Sequence, residues 1–374
     1  MALSFLTDNI SRICYILTIF FNTSLIFLTV KFTRHIVGTY RNMIVTFAIF
    51  GIMLSTADIL IRPVTFSMSL LHSYNGCFVY FTLGSAFRFS KKLSKIALLV
   101  HAGVYGLILV FLTVQFVYRA VLLSKSRKNW SRHFDGWKLV FWIFYAVSIA
   151  VIWAVSVNFV SSDEITNNYL RKMILADYGV EISTVTYNAI LAYQKLFQNE
   201  EGPNKTVRWN SVQTIGTLSI IMTSHYIVMI SCGIYMYHRT KLKFQNSSSA
   251  YDKLQKQFFH ALIYQTTAPT LFFHLPVLFV VLAPFFDLKV SFNSSLVIYG
   301  ISAYPLVDTL ILLKVVKEYK NAYLSEFDFT ILWNLLKKVS GFVGAIIKSC
   351  VEVCGEETPR NPQTLTNGIK NQTI

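Results

Sequence analysis

The chain has 374 residues, of which 54% are hydrophobic and only 14% are charged, with a mean hydropathy of +0.49. Soluble domains carry roughly 25% charged residues, so this composition excludes an ordinary soluble protein and predicts several membrane crossings. The net charge of +16 comes from lysines and arginines in short segments between apolar runs. That arrangement builds no basic domain surface, so it indicates loops beside a membrane and not a nucleic-acid partner.

The cysteines predict neither a metal site nor a disulfide framework. Their spacing does not match a zinc site, and no pair falls in the predicted outer loops. No metal and no cofactor is therefore expected. The positions are Cys14, Cys77, Cys232, Cys350 and Cys354.

The first apolar run, about residues 10–30, predicts a transmembrane helix behind a short tail of residues 1–9. It lacks the basic start and the small-residue cleavage site of a signal peptide, so we expect it to be retained as an anchor. Lys31 and Arg34 follow the run, and the positive-inside rule therefore places the amino end outside.

A second helix is predicted at about 42–62 and ends before Pro63. Asp58 lies deep in this run, where an unpaired carboxylate is costly, and Arg62 follows one turn later. The pair has two interpretations, an ion pair at the membrane edge or a polar lock that contacts a ligand.

The third predicted helix, about 96–118 and ending at Arg119, organises the bundle. Its polar residues follow one another at steps of three and four through intervening apolar positions, which puts them on one face. A polar stripe is costly against lipid, so this helix is expected to lie inside the bundle. The stripe consists of His101, Tyr105, Gln115 and Arg119.

The segment of residues 66–87 is apolar and about long enough to cross a membrane. We expect an outer loop instead, because polar side chains interrupt it and an eighth crossing would move the later basic loops outside. This choice leaves a basic group just before the third helix on the outside, against the charge rule. The group is Arg88, Lys91, Lys92 and Lys95.

Two further helices are predicted at about 139–160 and 211–237, separated by a long outer segment. Within that segment, residues 167–179 have a helical spacing of apolar side chains, and Asn204 begins an N-glycosylation acceptor. A loop of this length is uncommon unless it has a function. It is expected to be a partial lid over the bundle or, with equal weight, a solvated spacer.

The sixth and seventh helices are predicted at about 258–286 and 292–313. Prolines make the sixth helix the best candidate for a moving element, and they are Pro269, Pro276 and Pro284. Residues 317–374 are predicted to be a cytoplasmic tail with an amphipathic interfacial helix at about 329–350 and a disordered end. Cys350 and Cys354 are candidates for palmitoylation, with free thiols as the alternative.

The predicted fold class is therefore an all-α membrane protein, a seven-transmembrane helix bundle over residues 10–316 with its amino end outside and its carboxyl end cytoplasmic. Architecture alone leaves receptors, ligand-gated channels and small-molecule transporters open. A transporter would show internal repeats with paired broken helices, and none is visible. An enzyme needs clustered acids or histidines, whereas the intramembrane ionisable residues are dispersed in depth, so no enzymatic activity is expected.

Segments in order along the chain carry a family resemblance: GTYRNMIVTFAIF at 38–50, FRFSKKLSKIALL at 87–99, FVYRAVLL at 116–123, FFHALIYQTTAPTLFFHLPV at 258–277 and ISAYPLVDTLILLKVVKEYKNAY at 301–323. Their combination resembles the nematode seven-transmembrane chemoreceptors of the Str family, which are serpentine receptors of the G-protein-coupled type. The resemblance runs from about Asn22 to Tyr323.

The resemblance implies an odorant- or pheromone-type receptor that binds a small, in some cases volatile, ligand within the bundle and activates a heterotrimeric G protein. It also implies a multi-pass protein of the plasma membrane, with the sensory cilium as a candidate location and membrane lipids as neighbours. Association into homo- or hetero-oligomers stays open.

Two sets of site residues follow from the resemblance together with the polar stripe. The candidate ligand contacts are His101, Tyr105, Phe272, His274, Tyr299 and Ser302. The candidate coupling and switch residues are Tyr118, Arg119, Pro269, Pro276, Tyr304, Pro305 and Asp308. Each histidine has a structural alternative as an interhelical hydrogen-bonding residue, and Arg119 has one as a contact to lipid phosphate.

The chain departs from the pattern of rhodopsin-like receptors at the inner end of the third helix. No acid stands beside Arg119, and no cysteine pair joins the third helix to the long outer loop. Thr309 stands where Str relatives commonly have proline. The inactive-state lock of rhodopsin-like receptors therefore cannot be transferred to this chain.

Overall fold

A computed structural model describes residues 2–31, 38–61, 63–68, 77–82, 89–124, 131–195, 205–244, 250–275, 278, 282–286 and 295–326. Residues up to Tyr323 form one compact unit, and a second unit begins at Leu324. The predicted interfacial helix at about 329–350, both tail cysteines and Asn204 lie outside the described residues.

Seven long helices run through the described part of the chain. They are α1 (Ala2–Lys31), α2 (Gly38–Ile61), α3 (Lys91–Leu123), α4 (Leu139–Asn158), α6 (Trp209–Phe244), α7 (Ala250–Pro269) and α8 (Ser295–Val315). The first five of these are long and apolar enough to span a membrane. Two shorter helices are α5 (Glu164–Tyr178) and α9 (Lys317–Glu326).

Helix α3 occupies the middle of the bundle, as its polar stripe predicts. It packs against α2, α4, α6 and α7. Its most apolar window is 67% buried inside the protein, against 22% for the corresponding windows of α4 and α6. The outer helices therefore present most of their apolar surface to lipid, whereas α3 presents it to other helices.

Small residues allow α3 and α4 to approach closely. A methyl group added at Gly106 would lie 3.1 Å from the Trp153 ring, and one added at Gly103 would lie 3.2 Å from the Ala150 carbonyl oxygen. Without a hydrophobic driving force between helices in lipid, such close backbone contact is a main source of helix association.

A three-stranded antiparallel sheet lies over one end of the bundle. Its strands β1 (Pro63–Met68), β2 (Cys77–Thr82) and β3 (Thr186–Leu191) pair in that order, so that Val79 faces Phe66 on one side and Ala189 on the other. Beside it, β4 (Tyr193–Lys195) and β5 (Lys205–Val207) form a short antiparallel pair. Where it is described, the segment that looked long enough for an eighth crossing contributes strands to this sheet and not a transmembrane helix.

Helix α5 covers the outward face of this sheet. Alternate side chains of β2, namely Cys77, Val79 and Phe81, are buried against Leu170 and Ile174 of α5. The intervening side chains of β2 face the bundle. We call β1, β2, β3 and α5 together the cap.

The bounds of several elements differ from their predicted ones. Helix α1 begins at Ala2 and so includes most of the segment predicted as a tail. Helix α3 begins at Lys91, five residues before the predicted start, because Ser90 caps it through its side-chain oxygen. The prediction of a helix at 167–179 is confirmed, although α5 starts earlier, at Glu164.

Candidate ligand-binding and coupling sites

A polar network lies where the cap meets the bundle, centred on Asp58 of α2. The Ser302 hydroxyl of α8 donates a hydrogen bond to one carboxylate oxygen of Asp58, and the other oxygen lies 3.5 Å from Nε2 of His101 on α3. The Tyr80 hydroxyl of the cap lies 2.6 Å from Nδ1 of His101, and the Ser11 hydroxyl of α1 lies 3.1 Å from that of Ser302. Four helices of the bundle and cap strand β2 thus meet around one carboxylate. We call Asp58, His101, Ser302, Tyr80 and Ser11 the cap-end network.

The network lies in the interior of the protein. The two ring nitrogens of His101 face different partners, Nε2 the Asp58 carboxylate and Nδ1 the Tyr80 hydroxyl. Asp58, His101 and Ser302 are each at most 5% exposed, which makes this an interior junction and not a surface ion pair.

The sequence analysis placed Asp58 beside Arg62 and placed His101 and Ser302 among the ligand contacts. Arg62 lies outside the described residues. Asp58 itself contacts His101 and Ser302. The interhelical alternative stated for His101 is therefore the arrangement that the structure has, because its ring bridges α2 and the cap.

An aromatic cluster lies among α3, α4, α6 and the end of α7. The Tyr105 ring lies 5.7 Å from the Trp153 ring and 5.5 Å from the His274 ring, measured between centroids. The Tyr226 hydroxyl is hydrogen-bonded to Nδ1 of His274 and lies 2.7 Å from the Thr270 hydroxyl. Two of the predicted ligand residues, Tyr105 and His274, thus meet here, and we call these residues the aromatic cluster.

The backbone of α7 changes its winding directly at this cluster. After Pro269 the helix continues as a π-helical turn, Thr270–His274, which carries both Thr270 and His274. Such turns mark strained or functional points in helices, and proline removes a backbone donor there. Pro269 directly precedes this π-helical turn, and its role as a hinge stays a prediction. Pro276 and the side chains of Phe272 and Tyr299 lie outside the described residues.

Arg119 is enclosed by aromatic rings at the other end of the bundle. Its guanidinium carbon lies 3.2 Å from the ring centroid of Tyr40 on α2 and 4.2 Å from that of Phe258 on α7. Its Nη1 donates a hydrogen bond of 2.5 Å to Oε1 of Gln255, also on α7. Only 2% of Arg119 is exposed, and no carboxylate lies within ion-pair distance of it in the described part of the chain. We call this enclosure the arginine cage.

The loop between α3 and α4 packs against the arginine cage. Tyr118 lies beside both Tyr40 and Phe134, and Phe134 stacks on Trp142 at 4.6 Å between ring centroids. Asp135 accepts a hydrogen bond of 2.8 Å from the Thr39 hydroxyl at the start of α2. The described part of the loop that follows α3 is therefore connected to α2, the helix that carries Tyr40.

Helices α7 and α8 are joined by a buried amide and carboxylate. Gln265 Nε2 donates a hydrogen bond of 3.0 Å to Asp308, which is 4% exposed. The next residue, Thr309, donates to Asn22 of α1 at 2.8 Å and to the Pro305 carbonyl at 3.0 Å. Thr309 therefore has a structural role in place of proline, since it bonds α8 to α1.

Lysines at the start of α3 bind the segments that flank the cap elements α5 and β3. Lys91 donates to the carbonyl oxygen of Ser183, and Lys95 donates to the Ser161 hydroxyl at 3.2 Å. These side chains belong to the basic group that contradicts the charge rule. Their contacts explain why the positive charge is placed there, which the sequence pattern did not reveal.

The cap has its own polar anchor at the start of α5. Asp163 accepts from the backbone nitrogen of Thr166 at 2.8 Å and is paired with Arg208. Burial raises the pKa of Asp163, but the hydrogen bonds from Thr166 and the charge of Arg208 outweigh it and hold the pKa below its usual value.

Burial in the cap raises the pKa of the Cys77 thiol to about 12, so this cysteine is an unreactive core residue.

The comparisons with known proteins agree with this architecture. The family model described as "Serpentine type 7TM GPCR chemoreceptor Str" matches residues 7–324. The chain belongs to the Str family. This Str chain is 33% identical to the G-protein coupled receptor str-33 of Caenorhabditis elegans over 320 residues, which cover 85% of the chain and 89% of that protein. It is 25% identical to serpentine receptor class r-10 of Caenorhabditis briggsae over 86% of this chain and 90% of that protein.

The fold of the Str chain is also that of a solved receptor. The crystal structure of squid rhodopsin matches with a TM-score of 0.53 over 88% of this chain and 87% of that one, at 11% identity. At that identity the likeness concerns the fold alone. Together with the family, it identifies α1, α2, α3, α4, α6, α7 and α8 as the seven transmembrane helices, and the chain as a multi-pass membrane protein of the G-protein-coupled receptor class.

Proposed function

We propose that this Str receptor binds a small chemosensory ligand at the aromatic cluster beneath the cap and, in response, activates a heterotrimeric G protein. The observation that carries the proposal is the course of α7. The π-helical turn of that helix contacts the aromatic cluster through His274, and its opposite end holds Arg119 through Gln255. A single helix thus joins the candidate ligand site to the candidate coupling site.

The chemistry of the aromatic cluster defines the ligand class. Tyr105, Trp153 and Tyr226 provide apolar ring surface, and the Tyr226 hydroxyl and the His274 ring provide hydrogen-bonding groups. Sites of this kind bind largely apolar molecules that one or two polar groups orient. A small ketone, alcohol or ester, including volatile ones, has this combination of properties.

The signal would be transmitted because the ligand competes with Tyr226 for a hydrogen bond to His274. A ligand that accepts or donates a hydrogen bond at Tyr226 or His274 replaces their mutual bond, and the π-helical turn after Pro269 can then relax. Movement of α7 would draw Gln255 away from Arg119 at the other end. The guanidinium and the loop that follows α3 would then be available to a G-protein α subunit.

Orientation and location complete the proposal. The cap and the amino end lie outside the cell and the arginine cage lies at the cytoplasmic side, with residues 317–374 as the cytoplasmic tail. The basic loops beside α3 and α4 and the acceptor at Asn204 support this orientation. The plasma membrane, and in sensory neurons the cilium, is the expected location. A mobility shift on glycosidase treatment that Asn204→Gln abolishes would test it.

The test of the function is nucleotide exchange on a G-protein α subunit in membranes that contain the receptor, screened against a panel of small odorants. Arg119→Ala is expected to abolish the response at equal surface expression. Tyr226→Phe is expected to reduce apparent ligand affinity by about threefold to tenfold, because one hydrogen bond of the cluster is lost.

Tyr145→Phe is the matched control. The Tyr145 hydroxyl also bonds a histidine of α6, His225, at 3.2 Å, but Tyr145 is 42% exposed on the surface of the bundle. It should leave the response unchanged. If both tyrosine variants reduce the response equally, the aromatic cluster is not the ligand site. If an odorant opens a current without any G protein, the protein is a channel and not a G-protein-coupled receptor.

A further inference from the structure

A groove of about 410 Å³ lies between α7 and the junction of α8 with α9. Four side chains of its α7 wall, Lys253, Gln257, His260 and Tyr264, follow at steps of four, three and four, so they share one face of the helix. Lys256 lies beside Gln257 in the same wall, and the opposite wall contains Val315 and Lys317. The groove has no part in the aromatic cluster or in the arginine cage.

The opposite wall of the groove is fixed in place by hydrogen bonds. Helix α8 ends at Val315 and α9 begins at Lys317, where the backbone nitrogen of Lys317 donates to Oε1 of Gln257 at 2.8 Å. Val316 is fully buried between the two helices. The Tyr319 hydroxyl lies 2.9 Å from that of Thr29 on α1, so the start of α9 is held against the bundle. The lysines of the two walls therefore converge on a built surface.

The charged side chains that line the groove in the described part of the chain are all lysines. Lys253, Lys256 and Lys317 are exposed, and no acidic side chain lines the groove in the described part of the chain. The His260 ring is oriented because its Nδ1 donates to the Lys256 carbonyl at 2.7 Å. Ammonium groups that converge in this way bind phosphate as point charges, and several of them favour a ligand with more than one phosphate.

The groove also changes polarity along its length. Lys253 and Tyr264 are separated by eleven positions of α7, or about 16 Å of helix. The lysines lie toward the end of α7 that carries Gln255, whereas Tyr264 and its neighbour Ile263 are exposed further into the apolar part of the helix. A ligand with a charged head and an apolar body matches this gradient, since the head would lie at the membrane surface and the body in the lipid.

We propose that this groove binds the polyphosphorylated headgroup of a membrane phospholipid, of the phosphoinositide class. Two features favour a bilayer lipid over a soluble phosphate compound: exposed apolar side chains of α7 continue from the groove, and its lysines lie at the polar end of that helix, where a lipid headgroup would lie. Binding here would hold α7 against the start of α9. The proposal does not depend on the odorant or on G-protein coupling.

The experiment uses the full-length receptor in nanodiscs that contain phosphatidylcholine with a bisphosphorylated phosphoinositide, with phosphatidylserine of matched total charge, or with neither. Bound lipid is measured by native mass spectrometry. A photoreactive phosphoinositide then identifies the labelled peptide. We expect binding of the phosphoinositide over phosphatidylserine and labelling within residues 253–264.

The groove variant is Lys253→Ala/Lys256→Ala, and the matched control is Lys138→Ala/Lys314→Ala, which removes the same charge from the same end of the bundle. The groove variant is expected to weaken phosphoinositide binding by about tenfold or more, and the control to change it by less than about twofold. Equal losses in both variants, equal binding of phosphatidylserine, or equally tight binding of the soluble inositol phosphate headgroup would each overturn the proposal.

Discussion

The bundle buries a charged residue near each of its ends and surrounds the two in opposite ways. Asp58, beneath the cap, receives a hydrogen bond from Ser302 and faces His101, which Tyr80 in turn contacts. Arg119, at the other end, lies beside the rings of Tyr40 and Phe258, and the neutral amide of Gln255 accepts its hydrogen bond. The acid is held by a network, whereas the arginine is held by contacts from two helices.

This difference indicates which end of the bundle can rearrange at lower cost. A buried charge is costly unless polar partners compensate for it, and the partners of Asp58 come from α3, α8 and, through His101, the cap. Breaking that network would uncouple several elements together. When α7 moves, Arg119 loses one hydrogen bond to a neutral amide and one of its aromatic contacts, and water can replace the lost contacts. The cap-end network thus fixes the bundle, and the arginine cage permits movement.

The largest effect is expected from removal of the acid in the cap-end network. Asp58→Ala removes the carboxylate that accepts from Ser302 and lies beside His101, and we expect a loss of about 3 kcal/mol in stability, because one partner of a buried pair is removed. Thermal unfolding of the purified receptor in detergent measures the change. Asp58→Asn keeps the side-chain volume and an acceptor oxygen for Ser302. Its melting temperature should therefore lie between those of Asp58→Ala and the unmodified receptor. If Asp58→Ala melts at the same temperature as the unmodified receptor, the cap-end network does not fix the bundle.

Conversion of the arginine cage into an ion pair is the next test. Gln255→Glu gives Arg119 an oppositely charged acceptor, so a hydrogen bond with one charged partner becomes an ion pair, which holds the arginine more strongly. Ligand-independent nucleotide exchange on the G protein should then fall by about threefold to tenfold, whereas Gln255→Ala should raise it.

Gln257→Glu provides the control for the arginine cage. It adds the same charge two residues further along α7, where the side chain faces Lys317 and not Arg119. This variant should leave ligand-independent exchange unchanged. If it lowers exchange as much as Gln255→Glu does, the effect arises from added charge near the G protein and not from the cage.

A smaller effect is expected from the single hydroxyl that joins the cap to the network. Tyr80→Phe removes the hydrogen bond to His101, for a loss of about 1 kcal/mol. Amide hydrogen exchange should increase over β2, residues 77–82, with little change in the arginine cage. Tyr187→Phe is the control, since its hydroxyl bonds Thr166 and Asn167 within the cap. Equal exchange in the Tyr80 variant and the unmodified receptor would show that the cap is held without this contact.

The smallest effect concerns the cap alone. Asp163→Ala removes the capping bond of α5 and should cost about 0.5–1 kcal/mol, visible as faster hydrogen exchange over residues 164–178. Asp163 is stabilised in its charged form, so its contribution is present above its unfolded pKa of about 3.8 and is lost as pH falls through the lower folded value. Pepsin cleavage within α5 should therefore rise at strongly acid pH, and Asp163→Asn should remove that dependence.

The helices could be predicted because each lies within one stretch of sequence. Long apolar runs gave all seven transmembrane helices, and the spacing of His101, Tyr105, Gln115 and Arg119 gave the interior position of α3. The sheet was not predicted, because β2 pairs with β3 more than a hundred residues later and each strand has only six residues. A short alternating run inside a polar loop carries too weak a signal for such a pairing.

The sequence by itself determined a membrane bundle, its number of helices, the placement of α3 and the residues that resemble Str receptors. Those properties depend on hydropathy and on local spacing, which a chain carries wherever it folds. Only the tertiary structure decided that Asp58 faces His101 and Ser302, that Gln255 is the acceptor for Arg119, and that lysines at the start of α3 bind segments that flank the cap. These partners come from elements distant in sequence, and the choice among polar groups that could satisfy a buried charge is made when the helices pack.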